Sequence, residues 1–405
     1  MSHHDFLVGT FNTPQLYTLR FTPPSSPSHP GSLTILHTSS AIGSHSWLHL
    51  NPPRQDGTRT LYATAWTDPP SVVAYAVNSP TQISLLGSAE TNSRSGYVCA
   101  SDKAVYSAGG ATGEVFSIDP ETGNFTSPSP SSQQSTTGST ATQPLQNLSF
   151  IDTQQQRDDG STMDFGGLRH GAHSADLSPD NKALYIADIG RNCIWTYSVS
   201  STDGTLTLGE KFISPRPNDG PRHVHPHPSG KYVYSLQEHT SIVDVFATSN
   251  AGVNLTHVQG VRIIPPDEHE SDYWADEVRT CLSNGDKPQY LYASTRGLTP
   301  GKKGFVAVYK LREDGTVDTS VTSHPEIGKG NELYAGLLCM YQTPTSGGWA
   351  NAIQPGPTID GIEYLALTDS EEGYVFVLSW DGSHIKEVAR ARLDEGASTA
   401  TAVWL

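Results

Sequence analysis

Apolar positions in this chain recur mostly in short runs with a period of two, not at the three-to-four spacing of a helix. One unit appears seven times. A polar or Pro/Gly turn is followed by an apolar run often containing Tyr, then a gap, then a second, alternating run. The copies lie at 5–10 with 15–19, 59–65 with 72–77, 103–108 with 114–118, and 182–188 with 193–199. They continue at 231–236 with 242–246, 289–294 with 304–309, and 363–368 with 374–378. A continuous apolar run suits a strand buried on both faces, and an alternating run suits one buried on a single face. The motif Tyr stands at 62, 106, 185, 234 and 292, at intervals of 44, 79, 49 and 58 residues. All but one interval sit near or somewhat above the length of a four-stranded blade. Ser178-Pro-Asp-Asn-Lys and Pro228-Ser-Gly-Lys, which precede two of the copies, are turn chemistries.

These features predict an all-β fold, a single seven-bladed β-propeller over residues 1–405. The strand-like tail at 401–405 and the strand-like head at 5–10 are expected to pair in one sheet and close the ring, leaving no long edge. The long interval holds a segment at about 120–168 rich in Ser, Thr, Gln and Gly. It cannot bury enough apolar area to offset its ordering cost, so a surface insertion is expected. Asp158, Asp159 and Arg169 lead from it toward the candidate site, which makes a lid over one channel mouth the alternative.

Composition narrows the chemistry. The net charge is −16 and no Lys/Arg run is present, which argues against nucleic acid as a partner. An anionic small molecule would need a few focused arginines, so each pocket Arg is informative. Four cysteines occur without a CxxC pair, and reduced, buried thiols are expected. No secretory leader and no membrane-length apolar run is visible. The expectation is a soluble cytoplasmic protein, with a homo-oligomer left open.

No zinc signature, phosphate loop or dinucleotide fingerprint is present. His223-Val-His-Pro-His puts three histidines at strand spacing, but Pro226 interrupts the run and channel-lining roles suffice. No metal or cofactor is expected. Four other positions stand out. His173 opens a strand, Arg222 opens the strand of the next blade, Glu238 follows the end of an inner strand, and Arg296 ends another. In a propeller such ends converge on the axial channel. The structural alternative for each is a surface or blade-to-blade ion pair.

Several blocks carry a resemblance. They are His173-Ser-Ala-Asp-Leu-Ser-Pro-Asp, Pro221-Arg-His-Val-His-Pro-His-Pro-Ser-Gly-Lys-Tyr-Val-Tyr, Tyr292-Ala-Ser-Thr-Arg, Thr343-Pro-Thr-Ser-Gly-Gly-Trp-Ala-Asn-Ala-Ile and Thr368-Asp-Ser-Glu-Glu-Gly. Through them the sequence resembles the fungal 3-carboxy-cis,cis-muconate lactonizing enzymes, a seven-bladed propeller class. The resemblance implies a cofactor-free cyclase acting on a small tricarboxylate. It places the catalytic His at His173, the acid at Glu238 and the pocket arginines at Arg222 and Arg296. His223, Trp349 and Asn351 are the further substrate-binding candidates. Trp349 stands where the family has a histidine, which touches substrate identity more than fold. Either Glu238 or His173 would donate the proton. A lactone hydrolase of the 6-phosphogluconolactonase-like type, a cyclase for another unsaturated acid, and a non-catalytic scaffold are the competing readings.

Overall fold

The apolar runs of the repeat become the second strand of a four-stranded antiparallel sheet, and the alternating runs become the third. A computed structural model describes residues 3–405 except 27, 128–141, 152–170, 284, 300, 322–326, 328–329 and 395. Blade 1 contains β4 (Leu48–Leu50), β5 (Arg59–Ala65), β6 (Ser71–Ser79) and β7 (Gln82–Glu90). Blade 2 contains β8 (Tyr97–Ala100), β9 (Ala104–Gly109), β10 (Thr112–Ser117) and β11 (Gln146–Ser149). Blade 3 contains β12 (Ala172–Leu177), β13 (Ala183–Asp188), β14 (Cys193–Val199) and β15 (Leu206–Ile213). Blade 4 contains β16 (Pro221–Pro226), β17 (Tyr232–Gln237), β18 (Ile242–Ser249) and β19 (Asn254–Arg262). Blade 5 contains β20 (Tyr273–Thr280), β21 (Tyr290–Gly297), β22 (Phe305–Lys310) and β23 (Leu337–Gln342). Blade 6 contains β24 (Ile353–Ile359), β25 (Ile362–Asp369), β26 (Tyr374–Trp380) and β27 (Ile385–Arg392).

Blade 7 closes the ring. Its order is β28 (Thr399–Trp404), β1 (His4–Thr10), β2 (Gln15–Thr22), β3 (Ser32–Ser40). Phe6 pairs with Trp404, Leu7 with Val403 and Val8 with Ala402, as the head and tail patterns predict. The first strands of the seven blades touch in ring order around the axis.

The recurring Tyr has a structural cause. Each is buried on a second strand and reaches into the next blade. Tyr62 Oη donates to the Gly123 carbonyl (2.8 Å), Tyr106 to Gly204 (2.9 Å) and Tyr234 to Gly315 (2.6 Å). Tyr185 packs against Gly252, and Tyr292 donates to Glu363. The accepting glycines sit in turns between third and fourth strands. Gly204 has φ +80°, and a Cβ there would lie 2.9 Å from Tyr106 Oη, so two requirements select glycine.

The low-complexity segment is narrower than its composition suggests. Gln146–Ser149 inside it form the outer strand of blade 2, and Phe150 is fully buried. Leu148 pairs with Gly113 and Gln146 with Val115, so four residues with one inward side chain suffice to complete the sheet. Asp158, Asp159 and Arg169 lie outside the described residues. Cys99, Cys193, Cys281 and Cys339 are free and buried.

Candidate functional site

The first strands of blades 3, 4 and 5 carry the same irregularity. Ala172 and Ser174 face the adjacent pair Asp188 and Ala187, so His173 is an extra residue. Pro221 and His223 likewise face Gln237 and Leu236, which makes Arg222 the extra residue. Ala275 and Glu277 face Thr295 and Ser294, which leaves Asp276. A β-bulge re-aims the side chain of the inserted residue. Here it delivers His173, Arg222 and Asp276 to the wall of one cavity of about 1210 Å³. Glu238, just past β17, and Arg296, in β21, line the same cavity.

Arg222 is the centre of the polar wall. Its Nη1 donates to Glu238 Oε2 (2.6 Å), Nη2 to Asp276 Oδ1 (2.9 Å) and Nε to the Asp276 carbonyl (3.1 Å). The three bonds hold the guanidinium plane in one orientation. Two carboxylates offset the cost of burying this cation. Burial alone would push the Glu238 carboxyl up, but Arg222, with His239 and Arg296, holds it well below the usual range. Glu238 is ion-paired to Arg222, and its geometry is that of an anchor for that guanidinium.

Arg296 donates from Nη1 to the Gly348 carbonyl (2.9 Å), and its guanidinium lies 4.9 Å over the Trp274 ring. Gly347 and Gly348, both at positive φ, form the turn that offers this carbonyl. Trp349 follows at the cavity mouth, 66% exposed and edge-on to Phe11 at 6.0 Å. Asn351 stands differently from its expected place. It is fully buried and absent from the cavity wall. Its side chain donates to the Thr295 carbonyl (2.9 Å), and its backbone N–H donates to Asp276 Oδ2 (2.9 Å). Asn351 thus supports the wall from behind.

His173 and His223 are neighbours, with ring centroids 5.2 Å apart. His223 is 3% exposed, and its Nδ1 lies 2.9 Å from Glu277 Oε1. Burial, then Arg222, pushes both imidazoles well below their ordinary value, which favours their neutral forms. Deeper in, Arg279 Nη1 lies 3.0 Å from Glu277 Oε1, and Nη2 donates to Tyr97 Oη (3.1 Å). Tyr97 in turn donates to Asp176 (2.9 Å) and stacks on Trp47 at 3.8 Å. The three closely spaced histidines do not share a centre. His223 meets Glu277, His225 meets Thr280 and His227 meets Ser229.

Five of the seven expected site residues stand in or around this polar wall: His173, Arg222, His223, Glu238 and Arg296. Trp349 is at its mouth. Asp276, Glu277, Arg279 and Trp274 were not anticipated, although Tyr273-Trp-Ala-Asp-Glu-Val-Arg opens blade 5 much as Pro221-Arg-His opens blade 4.

Residues 5–329 match the family model described as Lactonase, 7-bladed beta-propeller. The chain belongs to that family. It is 38% identical to Muconate cycloisomerase 1 of Cutaneotrichosporon cutaneum, over 99% of this chain and 98% of the relative. It is 29% identical to Carboxy-cis,cis-muconate cyclase of Neurospora crassa, over 58% of this chain and 60% of the relative. The solved periplasmic gluconolactonase of Pseudomonas aeruginosa superposes with a TM-score of 0.72 at 14% identity, covering 100% of this chain and 99% of that one. That last likeness concerns the fold of this lactonase-family propeller alone.

Proposed function

We propose that this propeller is a cofactor-free intramolecular cyclase that closes a lactone on 3-carboxy-cis,cis-muconate. The observation that carries the reading is the placement of Arg222 and Arg296 on the wall of the same cavity as His173. The names of the two muconate-acting relatives support the substrate class. In the proposed reaction one carboxylate oxygen bonds to a carbon of the conjugated diene. The alkene pair shifts to the neighbouring carbon, where the adjoining carboxylate delocalises it. A proton then bonds to that carbon. One carboxylate becomes an ester, so each turnover consumes one proton.

Arg222 and Arg296 take substrate carboxylates through their forks and hold the chain curled for attack. They also stabilise the enolate-like charge. Glu238 keeps Arg222 in place. His173 delivers the proton, because a bound polyanion raises its proton affinity.

The test is the ultraviolet absorbance of 3-carboxy-cis,cis-muconate and of cis,cis-muconate with purified protein in chelator. Cyclisation destroys the conjugated diene, so absorbance decays. Arg222→Ala and Arg296→Ala are each expected to cost about 10²-fold or more in turnover. No decay of either muconate sinks the reading. Hydrolysis of an added lactone in its place would establish the lactone-opening alternative, which the description of the matched family model favours.

A further inference from the structure

Two buried ring nitrogens lie beside the cavity. His173 Nδ1 and His223 Nε2 are both buried without a hydrogen-bond partner, on rings only 5.2 Å apart. A buried polar atom left bare costs free energy. The other side of His223 is fully specified. Glu277 Oε1 accepts the backbone N–H of Val278 (3.0 Å) and lies 3.0 Å from Arg279 Nη1. An oxygen that already accepts these donors acts as an acceptor toward His223 as well. His223 therefore carries its proton on Nδ1, and Nε2 holds a lone pair.

We propose that Glu277 and His223 are positioning residues that let His173 become charged when a polycarboxylate fills the cavity. Glu277 fixes the His223 tautomer, and on binding the His173 ring turns so that Nδ1 donates to His223 Nε2, a bond that the structure itself does not contain. The His173–His223 pair takes up one proton from solvent on binding, and Glu277 is the buried anion that stabilises it. The proposal rests on the polycarboxylate reading of the cavity and deepens it by naming where the consumed proton waits.

The surroundings make the switch conditional. The pair faces Arg222 on β16, Glu238 beyond β17, Asp276 and Arg279 on β20, Arg296 on β21, and Tyr97 on β8. Burial and Arg222 lower the proton affinity of both imidazoles. Carboxylates bound at Arg222 and Arg296 cancel that repulsive field. The carboxyl of Glu277 is itself pushed up to about 7 by burial, so a neighbouring imidazolium favours its ionised form.

Proton uptake on binding measures this without turnover. The probe is butane-1,2,4-tricarboxylate, a saturated analogue that cannot cyclise. Its binding heat is recorded in buffers of different ionisation enthalpy. Above about pH 7.5 the expected uptake is about one proton per site. Below about pH 7 it should fall, because Glu277 then already holds a proton and passes it inward. Glu277→Gln and His223→Gln should each bind the probe and lose more than half of the uptake. A ¹⁵N spectrum of the histidine side chains gives a second readout, in which resting His223 should be the Nδ1–H tautomer. Binding without uptake, or full uptake in both variants, overturns the inference and leaves the polycarboxylate cavity standing. An Nε2–H tautomer at His223 also overturns it. No binding of the probe overturns the polycarboxylate reading and the inference together.

Discussion

Arg222 and Glu238 form a pair in which each residue explains the other. A lone guanidinium with 8% exposure would be costly, and Glu238 and Asp276 compensate it. The same contact denies Glu238 a proton. Glu238→Gln separates the anchor role from an acid role. Gln retains an oxygen that can accept from Arg222 Nη1 but removes the charge. The bond to Arg222 is charge-assisted, so its weakening is expected to cost about 10-fold in kcat/KM, mostly through KM. In the proposed reaction the proton comes from the histidine pair, so the alkaline limb of the pH–rate profile should stay in place. Disappearance of that limb in Glu238→Gln would restore Glu238 as the donor.

The sequence exposed the elements unevenly. Second and third strands were legible because they are apolar or alternate regularly and because their Tyr recurs. First strands were harder: the strands opened by His173 and Arg222 were read, but their bulges and the whole of β20 were not. β12, β16 and β20 hold His173-Ser, Arg222-His and Asp276-Glu where an apolar pattern would announce a strand, and each bulge shifts the alternation by one. Asp276 was missed for that reason, and so was Glu277 behind it. β11 was hidden because Leu148 is its one apolar residue and low-complexity sequence lies beside it. The Tyr–Gly contacts give the blade junctions a testable energy. Tyr106→Phe removes one buried hydrogen bond and should cost about 1 kcal/mol, read as a lowered midpoint in denaturant. Gly204→Ala should cost more, because it combines a strained φ with a Cβ lying 2.9 Å from Tyr106 Oη and 2.8 Å from Ala104 Cβ. An equal or smaller loss for Gly204→Ala would mean that the turn relaxes and that the glycine is not required.

Across the whole ring, burial of histidine ties stability to pH. His45 sits between blades 7 and 1, with Nδ1 on the Thr64 carbonyl (2.6 Å) and Nε2 on Tyr75 Oη (3.0 Å). Burial pushes His45 and His49 down to about 4, and it lowers His173, His223, His225 and His227 as well. The unfolded chain titrates its histidines near ~6.5. As pH falls from there toward 4, the unfolded state binds protons that the folded state refuses, so stability is lost. Asp176 and Glu277 act in the opposite sense. Burial raises both to about 7, so their contribution is largest at low pH and is lost as pH rises through about 7. Burial raises Asp188 and Asp219 too, but six histidines outweigh these four acids, and the melting temperature should therefore be lower at pH 5 than at pH 7.5. His45 lies away from the cavity wall and isolates the histidine contribution. A shift from ~6.5 to about 4 corresponds to about 2 kcal/mol of stability between those two pH values. Gln at this position can still donate to Thr64 and accept from Tyr75 but cannot titrate. His45→Gln should therefore narrow the difference in unfolding free energy between pH 7.5 and pH 5 by about 2 kcal/mol. An unchanged difference would show that His45 titrates in the folded ring much as it does in the unfolded chain.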